Sequence, residues 1–94
     1  MTPEIELIAA TDITKYHFVQ DEVLDTMDER RCRYTDLTKA MNLAKIQKKQ
    51  ATVVFETKEG IKSVESIIAF INENMIWLKD GATIPVICIR EVLI

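Results

Sequence analysis

From Ala51 to the end of the chain the residue rhythm changes, and that change constrains the fold more than any other feature. The stretch ATVVFET puts Val53, Phe55 and Thr57 on one side and is rich in β-branched residues, which suit a pleated, half-buried surface. Lys58-Glu59-Gly60 reads as a turn, IKSVESIIAFI as a long second strand, and Asn72-Glu73-Asn74 as the turn after it. MIWLK gives a third strand, Asp80-Gly81 a tight hairpin signal, TIPVICI a fourth strand and REVLI a short fifth. Pro85 has no N–H to donate, so the fourth strand belongs at an edge or bends. Five short strands in this space predict a small, strongly bent antiparallel sheet or barrel, because a flat two-stranded ribbon cannot bury so many aliphatics.

The first half has a helical rhythm instead. In residues 20–31, Val23 and Met27 lie one turn apart with Leu24 beside them, while Asp21, Glu22, Asp25 and Asp28 face outward. Extending that helix through Tyr34 would bring Arg30 into the apolar stripe, so a break is expected near 32–35. Thr35 then caps a second helix over 36–48, where Leu37, Ala40, Met41 and Ala44 fall at i, i+3, i+4 and i+7. Thr2-Pro3-Glu4 fits a helix start, yet Ile5, Leu7 and Ala9 alternate like a strand, and both readings stay open.

Ninety-four residues, 48% hydrophobic and 29% charged, describe one ordinary globular domain over 1–94. No apolar run approaches the roughly 20 residues that cross a bilayer. The opening residues carry two acids and no base, unlike a secretory signal, so a cytoplasmic chain without membrane association is expected. Cys32 and Cys88 lie far apart, and His17 is the single histidine, so no zinc-ligand set can be assembled and two reduced thiols are expected. No glycine-rich phosphate loop occurs, and no nucleophile–base–orienter set can be built around His17. Neither catalysis nor a cofactor is expected.

Charge is unevenly placed. Residues 1–28 carry −6, residues 29–50 carry +5 and residues 51–94 carry −2. The motif DERRCR, residues 28–33, holds three of the bases: Arg30, Arg31 and Arg33. Bases at the end of a helix are what its dipole favours, at about 0.3–1 kcal/mol each, and that accounts for most of the block without a ligand. An anionic partner such as RNA is the sharper reading, set against the net acidity of the chain. Trp77, between Ile76 and Leu78, fits a core or interface position better than a base-stacking one, and Phe55 and Phe70 alternate with aliphatics as core residues do.

Helix first and five short strands after it resemble the Sm-like fold. VQDEVLDTMDERR is similar to the N-terminal helix of the bacterial Sm-like RNA chaperones (Hfq), and TVVFETKEGIK to their first strand, turn and glycine. The resemblance implies an α+β domain with N-terminal helices packed on a five-stranded antiparallel SH3/Sm-like barrel, residues 1–50 being mainly helical and 51–94 the barrel. It also implies Gln20 at an RNA-binding pore and Arg30, Arg31 and Arg33 at an RNA-binding rim. Where that family carries a tyrosine-lysine-histidine stretch, this chain has Pro85, Val86 and Ile87.

The chain closes on VICIREVLI, seven aliphatic or cysteine residues in nine. Such a strand on an open edge invites pairing with a neighbour. The expected function is therefore a non-catalytic structural or protein-interaction module that forms homo-oligomers, with an Sm-like RNA binder as the alternative.

Overall fold

A computed structural model describes residues 5–94; the candidate helix start at Thr2-Pro3-Glu4 lies outside them. Among the described residues seven strands form two sheets, and one α-helix, α1 (Met27–Gln47), accompanies them. In the first sheet β1 (Ile5–Leu7), β3 (Gly60–Ser66), β2 (Ala51–Thr57) and β7 (Ile89–Leu93) lie in the order β1-β3-β2-β7. In the second, β4 (Ile68–Ile71), β5 (Met75–Leu78) and β6 (Thr83–Pro85) lie side by side in that order. All pairings are antiparallel except β1 with β3.

The strands occupy the segments where alternation placed them, but the architecture differs from the expected helices on a five-stranded barrel. Neither sheet closes into a barrel, and β1 adds a strand from the first half of the chain. The long second strand, residues 61–71, splits at Ile67, and its halves β3 and β4 belong to different sheets. The backbone carbonyl of Ile67 accepts from Lys79 N–H at 2.9 Å. At the other corner β6 stops at Pro85, which cannot extend a ladder. Val86–Cys88 then forms a 3₁₀ turn that delivers β7 to β2, not to β6. The expectation for Pro85 holds, since β6 is an edge strand.

The inner faces share one core. Val53, Phe55, Val64 and Ile89 come from the first sheet, Ile68, Ile76, Leu78 and Ile84 from the second, and Leu37 and Ala40 from α1. Phe70, expected in that core, is 55% exposed and leans on half-buried Trp77 across the outer face of the second sheet, ring centroids 5.4 Å apart. Helix α1 packs against β4 and β7, an edge strand of each sheet, and so covers the side where both edges lie. Covering edges with a helix is one of the ways proteins blunt strand pairing.

The two expected helices, 20–31 and 36–48, are one helix that starts later. Residues 16–26 are pulled into tertiary pairing: Phe18 bridges Thr57, Lys58 N–H donates to the His17 carbonyl at 2.7 Å, and Val23 N–H to the Ile87 carbonyl at 3.0 Å. The cap is Thr26, not Thr35. Its hydroxyl oxygen accepts from Glu29 N–H at 3.1 Å and the hydroxyl donates to the Glu29 carboxylate at 2.9 Å, a variant of the Thr-x-x-Glu box. No break occurs at 32–35 because the buried stripe is not the expected one: Met27 and Tyr34 are exposed, Arg30 lies outside the stripe, and the arginine within it is Arg33. Arg33, Leu37, Ala40 and Ala44 all face inward, and Glu22, in the coil before the helix, neutralises Arg33. At the C-terminus Lys48 takes the left-handed conformation (φ 53°) and its N–H donates to the Ala44 carbonyl.

Candidate functional site

Two surface grooves border the elements just described. The larger, about 600 Å³, runs between the N-terminal half of α1 and the outer face of the first sheet. Antiparallel partners share a face, so Val54 opposite Ser63, Glu56 opposite Ile61 and Thr52 opposite Leu93 mark the outer side of that sheet. Parallel β1 brings Ile5 beside Ile61. The groove floor is thus apolar, with Ile5, Val54, Ile61 and Leu24 lining it. Its rim is mainly acidic, with Asp28, Glu29 and Asp36 from α1 and Glu91 from β7 against one exposed base, Arg90, which pairs with Glu56, and the exposed thiol of Cys32 lies among them. Beyond the groove, Leu7, Leu93 and Ile94 extend the uncovered apolar surface, being 60%, 49% and 47% exposed.

Arg33 lines the inner wall of this groove and organises it. Its Nη1 donates to Glu22 at 2.7 Å and to the Ile89 carbonyl at 3.0 Å, and its Nη2 to Glu22 at 2.5 Å. Nε has no acceptor among the described residues. The Arg33 guanidinium, with a further hydrogen bond from Leu24 N–H, holds the Glu22 carboxyl below its ordinary value. Planar, bidentate pairing of this kind is what lets arginine be buried with its charge intact.

The second groove, about 550 Å³, is lined by Tyr16, His17, Phe18, Val19, Gln20, Lys58, Pro85 and Ile87. His17 Nδ1 lies 2.5 Å from Glu59, whose carboxylate also accepts from the His17 backbone N–H at 3.1 Å. These contacts hold the exposed Glu59 carboxyl down, to about 2. Phe18 tilts against core residue Phe55 with centroids 6.0 Å apart, and Lys62 stands over the Tyr16 ring at 4.9 Å.

The four residues singled out for RNA do not converge. Gln20 is exposed in the second groove. Arg30 turns back on its own helix start, donating from Nε and Nη2 to the Leu24 carbonyl at 3.1 and 3.0 Å. Arg33 is buried and engaged by Glu22. Arg31 alone of the three is exposed and in no ion pair among the described residues. Sequence reasoning missed Glu22, the pivot of this region. A carboxylate eleven positions ahead of an arginine carries no periodic signal.

Cys88 lacks a nucleophile's setting. It is buried, and burial pushes its thiol up to about 11, away from the reactive thiolate. Among the described residues no three His, Cys, Asp or Glu side chains gather as metal ligands, and no helix is long and apolar enough to cross a membrane. Comparisons with protein-family models, with curated proteins and with solved structures return no match. The fold and its grooves define a small, mostly-β domain with one long edge-covering helix.

Proposed function

We propose that this protein is a non-catalytic interaction module that self-associates through the outer face of its four-stranded sheet and the groove beside α1. One observation carries the reading: exposed Ile5 and half-buried Ile61 on the groove floor, with exposed Leu7, Leu93 and Ile94 beyond it, leave apolar surface uncovered beside the charged rim. Contiguous exposed apolar surface rimmed by polar groups is the usual mark of a protein-binding site. A 94-residue chain also gains stability from association, since its own core is small. Light scattering coupled to gel filtration tests it. The expected mass at micromolar concentration is a multiple of 10.8 kDa, and Ile5→Asp, an exposed substitution on the groove floor, shifts the population toward monomer. A wild-type monomer throughout that range overturns the reading.

A second reading, a single-stranded RNA binder, is favoured by a different observation. The second groove brings the Gln20 amide together with the Lys58 ammonium, His17 and two aromatic edges, Tyr16 and Phe18. An amide to pair with a base, a cation for phosphate and an aromatic edge are the parts such a site needs. Fluorescence anisotropy with labelled U- or A-rich oligonucleotides at low salt tests it. The expected result is salt-sensitive binding that Gln20→Ala with Lys58→Ala reduces about tenfold or more. No binding at low salt ends this reading.

A further inference from the structure

Building on the self-association reading, we propose that the groove beside α1 receives the cationic end of α1 from a second copy, the two helices pairing antiparallel about a two-fold axis. Both halves of this contact are on one helix. Asp28, Cys32, Asp36, Lys39, Leu43 and Ile46 follow at spacings of four, four, three, four and three, so they form one stripe along α1. It lies apart from the buried stripe of Arg33, Leu37, Ala40 and Ala44. At its N-terminal end the stripe is acidic and borders the groove. At its C-terminal end Ile46 is 79% exposed, and Lys45, Lys48 and Lys49 neighbour it in the chain.

Charge decides the occupant. Asp28, Glu29, Asp36 and Glu91 on the groove, and Lys39 and Lys45 on the helix with Lys48 and Lys49 just past its end, form no ion pairs among the described residues. Asp28 and Glu29 cannot reach Lys45, Lys48 or Lys49 within a chain, because Cys32 and Ile46, which mark the two ends, are fourteen residues apart on a rigid helix, about 21 Å. An antiparallel second copy satisfies both ends at once, as an isologous contact requires. With Cys32 opposite Ile46 of the second copy, Asp36 lies one turn from its Lys39, and Asp28 and Glu29 face the end of its helix, where Lys48 and Lys49 follow. The Ile46 side chain then covers Ile5 and Ile61, the floor residues left uncovered.

The same separation gives a clean test. In the Ile46→Cys variant, a disulfide between Cys32 and the introduced thiol can form only between chains, since a disulfide needs Cα atoms within about 7 Å, and Cys88 is buried. Mild oxidation of this variant at micromolar concentration is expected to give a covalent dimer. Peptide mapping should link Cys32 of one copy to position 46 of the other, with the yield falling as salt rises. In the wild-type background, Lys45→Glu with Lys49→Glu is expected to weaken association about tenfold, because each substitution acts at both symmetric contacts. Mixing it with Asp28→Lys plus Glu29→Lys restores association. If the wild type associates by light scattering, while Ile46→Cys yields no such link and the charge reversals change nothing, this pairing is overturned and the self-association reading stands. A wild-type monomer overturns both.

Discussion

Glu22→Ala is expected to cost about 3–5 kcal/mol of folding stability, a large share of what a chain of this size has to lose. The reason is what it leaves behind. Arg33 is only 6% exposed, and without Glu22 its guanidinium keeps one acceptor, the Ile89 carbonyl. An unpaired buried charge is far costlier than the pair is favourable. Glu22 itself retains a fifth of its side-chain exposure, so the loss belongs toward the lower end of that range. Urea denaturation measures it directly, and Glu22→Leu combined with Arg33→Met is expected to recover most of the loss, because an apolar pair of similar volume avoids the charge altogether. A deficit under about 1 kcal/mol for Glu22→Ala would show that the ion pair does not hold the helix start in place.

The same pair sets a pH dependence. The Glu22 carboxyl is held below its ordinary 4.5 in the folded protein, so the unfolded chain binds that proton more readily than the native one. The pair therefore stabilises fully above the unfolded carboxyl value, and its contribution fades as pH falls through the lowered one. Stability of Glu22→Gln is expected to fall less steeply than wild type below about pH 4.5.

Phe55→Ala is the second large effect, expected to cost about 3–5 kcal/mol. Phe55 is fully buried on central strand β2, between β3 and β7, and meets Phe18 at a tilt from the coil that precedes α1. Its removal opens a cavity among residues of both sheets and also unseats the segment carrying Gln20 and Glu22. Phe18→Ala, at a half-buried position, is expected to cost less. Thermal unfolding followed by circular dichroism separates them, since at this chain length each kcal/mol lowers the midpoint by about 4–8 °C. Equal losses would mean the core is not centred on β2.

These effects divide along a line that the sequence also drew. Period-two alternation and turn residues located the strands between Ala51 and Leu93, because side chains on a strand must alternate between core and solvent whatever the strand pairs with. Pro85 was legible as an edge for a similarly local reason: a missing donor is a property of the residue. The helix start was misplaced: the apolar spacing at Val23 and Met27 put it near residue 20 and a second cap at Thr35, while the signal that holds, Thr26 and Glu29 three positions apart, went unused. Of the larger groove, only the charge was visible in advance, as an acidic segment running into a basic one.

The rest needed the third dimension. Whether residues 16–26 coil into helix or lie along the sheet depends on Thr57 and Ile87, which offer backbone partners from far along the chain. Whether an arginine interrupts a helix or sits inside its buried stripe depends on a carboxylate delivered from outside that helix. Whether strands close on one another or remain two open sheets is decided by the break at Ile67 and the turn at Val86–Cys88. Local pattern determined which residues want to be buried; only tertiary contacts decided with whom, because pairing energy belongs to two distant segments and to neither alone.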